Sequence, residues 1–244
     1  MLTYVIADVH LSAEQPHLYQ LFDYFANTIL QLGDRLYILG DLFAFWIGDD
    51  DASAINQQVT GQLAALHERG IEVFLLLGNR DFLIKQRFAT QAKLTLLPEK
   101  HVITVANEAM LLLHGDTLCT LDISYQRFRN YTQKKWLQGL FLALPLRWRL
   151  KIAAKLRQQS NALRPIENRA ILDVVDADVL NMCHDKHVKI MIHGHTHLPG
   201  IHAYYQDATW IYRYTLSDWG DTGNYCVMDE AGHKSLEYFT GTRD

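Results

Sequence analysis

Seven side chains able to bind hard metal ions stand just beyond short apolar runs in this sequence. Asp8 and His10 follow Val5-Ile6-Ala7, and Asp41 follows Leu36 to Gly40. Asn79 follows Val73 to Gly78, His114 follows Met110 to Leu113, and His195-Thr196-His197 comes soon after Val188 to Ile192. Oxygen and imidazole donors without a thiolate suit Mn²⁺, Fe²⁺ or Zn²⁺ better than Ca²⁺ or a structural zinc. Two such ions about 3.5–4 Å apart, sharing one carboxylate, stabilise the attacking and leaving oxygens of a phosphoryl displacement. Asp41 is the candidate for the shared carboxylate, with Gly40 permitting a sharp turn before it. Asp8 and His10 offer an oxygen and a nitrogen from one turn, Asn79 a neutral carbonyl oxygen, and His114, His195 and His197 nitrogens. The alternation in His195-Thr196-His197 can place its two imidazoles on neighbouring ions. Any one of these residues alone reads more readily as a cap or a turn. The whole ordered set, each member closing an apolar run, points to a dinuclear centre.

The runs must then be the elements that carry the donors. Four to six apolar residues closed by Gly or a polar turn have the character of buried strands. Between the early ones, Pro16 to Leu32 and Ala52 to Arg69 have helical length and composition, with Gly33 and Gly70 where C-caps belong. Strands alternating with helices imply an α/β sheet with covered faces. Loops beyond the carboxyl ends of such strands converge on a common crevice, so donors far apart in sequence are expected to meet. From Gly200 onward the chain looks β-rich, with Tyr204, Trp210, Tyr212 and Tyr214 partly alternating.

The 244 residues, 49% apolar, suffice for one large domain with an insertion, and the formal charge of −4 gives no reason to expect nucleic acid as a partner. The charge is unevenly spread. Residues Ile123 to Arg169 hold 11 of the 23 Lys and Arg but a single acid, Glu167, which marks a surface with its own job. Within this block Trp136, Leu137, Leu140, Phe141, Leu142 and Leu144 form an apolar cluster. After Pro145, Leu146, Leu150, Ala153 and Leu156 fall at helical spacing, with Arg147, Lys151, Lys155 and Arg157 outside that stripe. The pattern fits a helix hairpin that caps a site or lies on an anionic membrane, and equally a core-facing pair with a solvated basic face. Three widely spaced cysteines fit a reducing compartment. The start of the chain has no signal-like n-region, and its longest apolar stretch is too short for a bilayer span, so a cytosolic protein is expected.

The order Asp8-x-His10, Gly40-Asp41, Gly78-Asn79, His114 and Gly194-His195-x-His197 resembles the calcineurin-like metallophosphoesterase superfamily. The resemblance implies an α/β fold, a four-layer α/β/β/α sandwich, here with a helical lid inserted at about residues 123–169 of a single domain spanning 1–244. It implies one metal held by Asp8, His10, Asp41 and His197 and another by Asp41, Asn79, His114 and His195. Most members continue Gly-Asn with His; this chain has Arg80, whose fork of donors suits bidentate contact with a phosphate.

Longer motifs, Tyr37 to Phe43, Trp46 to Asp50, Gly78 to Leu83, His114 to Cys119 and Trp136 to Leu146, are similar to the UDP-2,3-diacylglucosamine diphosphatases within that superfamily. The similarity weakens after about residue 200. It implies cleavage of the pyrophosphate bond of an acylated UDP-sugar lipid in lipid A biosynthesis, with two divalent metal ions, Mn²⁺ being the expected one. It also implies a monomer resting peripherally on the cytoplasmic face of the inner membrane. Asn79, Arg80 and His195 would hold the reacting phosphate, and Asp122 and Ser160 match further substrate contacts. Arg164 and Glu167 fall at lid positions where better-known members carry Asn and Lys, the Glu being the sharper change. A soluble nucleotide is the alternative substrate, although the apolar insertion has no use for one.

Overall fold

The computed structural model describes residues 1–162 and 173–241, and the side chains of all of these but 157–162. Five elements of the amino-terminal half form in the order strand β1 (Thr3–Ile6), helix α1 (Pro16–Tyr24), strand β2 (Arg35–Ile38), helix α2 (Ala54–Glu68) and strand β3 (Glu72–Leu75). Helix α3 (Gln86–Gln91) and the short strand β4 (Thr95–Leu96) follow, then the hairpin of β5 (Lys100–Val105) and β6 (Glu108–Leu113). Helices α4 (Ile123–Thr132), α5 (Lys135–Leu142), α6 (Leu146–Ala162) and α7 (Asp176–Asp185) precede β7 (Ile190–His193), β8 (Gly200–Gln206), β9 (Thr209–Thr215), β10 (Gly223–Met228) and β11 (Lys234–Phe239).

The strands make two sheets, one ordered β11-β10-β1-β2-β3-β4 and the other β5-β6-β7-β9-β8. Side chains alternate across each strand, and the burial follows that period of two. Tyr4, Ile6, Leu36 and Ile38 face α1, α2 and α3, whereas Val5, Ala7, Tyr37 and Leu39 face the second sheet, meeting Met110, Leu112, Ile190 and Ile192. Leu111, Leu113 and Met191 point the other way, onto Val179 and Cys183 of α7. Three apolar seams therefore separate four layers, in the order α/β/β/α.

Register positions the site. β1, β2 and β3 pair in parallel, with Ile6 beside Ile38 and Ile38 beside Leu75, so all three end at one edge. β6 and β7 are also parallel, Leu112 beside Ile192. The loops after these five strands carry every donor named above.

Helix α1 ends earlier than the sequence suggests. Residues Phe25–Ile29 form a π-helical turn and Leu30 is already extended. The wide turn tucks the fully buried Phe25 against Trp219, Tyr225 and Phe239, at ring-centroid distances of 5.7, 5.5 and 5.6 Å. Arg69 donates to the Ala26 and Leu30 carbonyls at 2.7 and 2.8 Å, satisfying carbonyls that the turn frees.

Among the described residues the basic block forms α4 ahead of the expected helix pair, α5 and α6, and the inward face of α6 differs from the expected apolar stripe. On α6 the inward face carries Leu146, Arg149 and Ala153. Leu150 and Leu156 are instead 43% and 44% exposed, joined by Trp148 at 53%. The reason is Arg149, 2% exposed, which donates to the carbonyls of Leu144 and Ile47 at 2.9 and 2.6 Å and pairs through both terminal nitrogens with Asp50. On α5, Phe141 and Leu142 pack on the main core while Trp136 and Leu140 remain 63% and 60% exposed. Charge-assisted bonds of this kind contribute about 1.5–3 kcal/mol each. Arg149→Ala is therefore expected to raise hydrogen exchange of the amides between 147 and 156 roughly 10- to 100-fold while the central strands keep their protection. Unchanged exchange in that helix would contradict the anchor.

Candidate metal centre

Five of the seven candidate donors have left-handed backbones, with φ of 54° at Asp8, 55° at His10, 52° at Asp41, 68° at His195 and 56° at His197. Such conformations cost non-glycine residues on the order of 1–3 kcal/mol and persist only where surroundings enforce them. Here the surroundings are explicit. The Asp8, His10 and Leu11 amides donate to the carbonyls of Gly40, Asp41 and Leu42 at 3.2, 3.0 and 2.9 Å, clamping two strand-end loops together. The Gly194 amide donates to the His114 carbonyl at 2.9 Å and ties the two loops of the second sheet. A side-chain carbon on Gly40 would collide with the backbone of Gly78, and one on Gly194 with the Asp8 carboxylate. Both positions require glycine because the loops approach so closely.

Asp81, fully buried, secures the loop pair from behind. Its carboxylate accepts the Leu42 amide at 2.9 Å and the Gly78 amide at 2.7 Å. Each front carboxylate spends one oxygen on the backbone: Asp8 Oδ2 accepts from His195 N at 2.7 Å, and Asp41 Oδ1 from Arg80 N at 2.9 Å. That leaves Asp8 Oδ1 buried with no hydrogen-bond partner among the described residues, as is His10 Nδ1.

The donors converge on two groups. His197 Nε2 lies 3.5 Å from Asp8 Oδ1 and 3.5 Å from His10 Nε2. Donor atoms about 2.0–2.2 Å from one ion are spaced at about this interval. In the second group His114 Nδ1 sits 2.8 Å from the Leu39 carbonyl, so in a neutral ring that nitrogen carries the proton. His114 Nε2 then presents a lone pair to Asn79 Oδ1 at 2.9 Å, and His195 Nδ1 is 3.0 Å from the same oxygen. Acceptors gathered so closely need a proton or a cation among them. Asp8, Asp41 and His114 also offer ligand atoms within 4.8 Å of one another, placing Asp41 between the groups.

Electrostatics agree. Burial, reinforced by the Asp81 and Asp8 carboxylates against the pull of His114, raises the Asp41 carboxyl to about 7. Burial alone would raise Asp8 too, but the His197, His114 and His10 imidazoles hold it well below the usual carboxylate range. Burial drops His10 to about 3, which keeps its ring neutral and a ligand. His114, which burial alone would lower, is held at about 9 by Asp41 and Asp8. This is a negative cavity suited to positive charge. The orphaned Asp8 oxygen, the facing acceptors and the oxygen–nitrogen donor set all fit divalent ions.

Of the other residues singled out in the sequence, Arg80 borders the centre, its Nε 3.3 Å from Asp41 Oδ2. Asp122 is the N-cap of α4, its side chain accepting from Tyr125 N at 2.9 Å. The Ser160 side chain, Arg164 and Glu167 lie outside the described residues. Sequence reasoning did not single out Asp116 and Tyr125. Asp116 accepts from the Tyr125 hydroxyl at 2.7 Å and from Arg129 Nε at 2.6 Å, and the Tyr125 ring sits 5.5 Å from that of His195. The start of α4 is thereby tethered to the centre. Only the Asp in His114-Gly115-Asp116 hinted at it.

The family model for calcineurin-like phosphoesterases matches residues 1–199. The UDP-2,3-diacylglucosamine hydrolase of Histophilus somni (strain 2336) is 45% identical over 234 residues, covering 96% of this chain and 99% of its own. Its namesake from Pasteurella multocida (strain Pm70) is 45% identical over 239 residues, 98% of each chain. The chain belongs to the UDP-2,3-diacylglucosamine hydrolases, within the calcineurin-like phosphoesterases. A third relative so named, from Tolumonas auensis, is 46% identical over 230 residues and 92% of each chain. Membership makes the chain a metal-dependent pyrophosphatase, and the clustered Asp and His residues are the possible metal site.

A ligand that binds only the folded state at 100 times its dissociation constant adds about 2.7 kcal/mol of stability. For a chain of this size that is a rise of roughly 5–10 °C in melting temperature. Mn²⁺ added to metal-stripped protein is expected to produce that rise, EDTA to reverse it, and Asp41→Ala to lose most of it. A melting curve indifferent to Mn²⁺ and EDTA would contradict the centre.

Proposed function

We propose that the chain hydrolyses the pyrophosphate bond of UDP-2,3-diacylglucosamine, giving 2,3-diacylglucosamine 1-phosphate and UMP. One combination carries the reading: a dinuclear-type centre tied to α4, the first of a run of exposed apolar, cationic helices, in a chain 45% identical to relatives bearing that substrate's name. Asp8, His10, Asp41 and His197 would hold one ion, and Asp41, Asn79, His114 and His195 the other, Mn²⁺ being the expected metal. Bound there, two divalent ions supply Lewis-acid polarisation of the phosphate and a water-derived nucleophile at neutral pH.

The chain's own residues do the rest. Arg80 rests its Nε against Asp41 and keeps its terminal nitrogens to donate to equatorial phosphate oxygens, stabilising charge that grows in the transition state. Asn79 and His195, on neighbouring loops, hold the same phosphate from the other side. The lid is proposed to lie at about residues 123–169, and the described part of that stretch exposes Trp136, Leu140, Trp148 and Leu150 among Lys134, Lys135, Arg147 and Lys151. The apolar side chains suit acyl chains, and the cations suit an anionic membrane surface, where each contributes roughly 1 kcal/mol. Asp122, Ser160, Arg164 and Glu167 complete the expected substrate contacts. No helix among the described residues is long and apolar enough to cross a membrane. Peripheral attachment on the cytoplasmic face of the inner membrane, as a monomer, is the arrangement proposed.

Thin-layer analysis of purified protein with UDP-2,3-diacylglucosamine beside UDP-N-acetylglucosamine separates this reading from action on soluble nucleotides. Cleavage of only the acylated compound is expected, with Arg80→Ala slower by about 10²–10³ in kcat. Equal cleavage of both compounds would remove the lipid from the account.

A further inference from the structure

The family-model match ends at residue 199, yet the chain returns to the centre beyond that point. The loop after β9 meets it three times. Leu216 N donates to the His193 carbonyl at 2.8 Å, Trp219 N donates to the Asp8 carbonyl at 3.1 Å, and Asp218 Oδ2 lies 3.3 Å from His197 Nδ1. The loop is itself fixed. The Trp219 ring packs against Phe22, Phe25 and Phe239 with centroids 6.3, 5.7 and 5.2 Å away. The Ser217 hydroxyl donates to Asp218 Oδ1 at 3.3 Å.

Asp218 and the converging donors touch opposite sides of one imidazole. Nδ1 faces the Asp218 carboxylate, while Nε2 faces Asp8 Oδ1 and His10 Nε2, each at 3.5 Å. A ring whose Nδ1–H is taken by a carboxylate keeps its lone pair on Nε2 and cannot swivel. His114 has an equivalent support, but a separate one, in the Leu39 carbonyl.

We infer that Asp218 is a positioning residue of this centre. It accepts the Nδ1 proton of His197, fixes the tautomer, and aims Nε2 at the ion shared with Asp8 and His10. Asp218 acts on that ion alone, because the group around Asn79 is oriented by other contacts. The inference rests on the metal-centre reading above and adds a specific residue outside the matched segment. Outer partners of this kind typically change metal affinity by about 10–100-fold.

The test is calorimetric titration of metal-stripped protein with Mn²⁺ for wild type, Asp218→Ala and Asp218→Asn, alongside the melting temperature of each without metal. Wild type is expected to take up two ions. The alanine variant should bind one of them about 10–100-fold more weakly and the other unchanged. The asparagine variant, whose oxygen still accepts the proton without a charge, should fall between. Half-maximal activity should require correspondingly more Mn²⁺. Wild-type binding of both ions by the alanine variant, or equal weakening of both, would overturn the role of Asp218. Should the metal-free alanine variant melt below wild type, the asparagine variant decides: weakening of one ion by several-fold supports the role, and wild-type binding of both overturns it. A wild-type chain that binds no Mn²⁺ would instead defeat the metal-centre reading itself.

Discussion

Two carboxylates, Asp8 and Asp41, are buried side by side with a third, Asp81, immediately behind them. Like charges out of water repel strongly and lose their hydration, so the arrangement survives only if positive charge meets them. Backbone amides take one oxygen of each front carboxylate and both oxygens of Asp81. Imidazoles line the remaining side. What is left over is negative potential at the junction of two sheets, and the rest of the structure serves to keep it there.

That constraint explains the two-sheet design. One sheet delivers Asp8, His10, Asp41 and Asn79 from three parallel strands ending flush, while the other delivers His114, His195 and His197 from two. Neither sheet alone assembles either group of donors. The seam of Val5, Ala7, Tyr37, Leu39, Met110, Leu112, Ile190 and Ile192 between them is therefore part of the site's geometry as well as of the core. Left-handed backbones at five donors are the local cost of turning side chains inward at strand ends. The loop-to-loop amide bonds and the glycines at 40, 78 and 194, where a side chain would collide, make that cost bearable.

Much of this was legible in the sequence because strand and ligand are adjacent in it. An apolar run followed at once by Asp, Asn or His specifies both the element and the place where it ends. The runs themselves implied an α/β sheet with covered faces; the four layers were an implication of the family resemblance, and alternating residues feeding opposite seams account for them. What the sequence hid was direction and distance. Composition marked residues 123–169 as apolar and basic but did not tell which face turns inward. Arg149 decides it, by reaching backbone carbonyls and Asp50 about a hundred positions away. The π-helical turn after Tyr24 was hidden for a similar reason, since it answers to the aromatic cluster that Trp219, Tyr225 and Phe239 bring from the far end of the chain. Asp218 lies in Leu216-Ser217-Asp218-Trp219, similar to a stretch of the family, but nothing near it in sequence binds metal and so its contact could not be read there. Its partner His197 is close only in space.

The most direct measurement is anomalous diffraction at the manganese edge from crystals grown with Mn²⁺. The account predicts two peaks about 3.5–4 Å apart, with Asp41 bonded to both. Asp8, His10 and His197 should surround one, and Asn79, His114 and His195 the other. A single peak, or manganese bound away from these seven side chains, would contradict it.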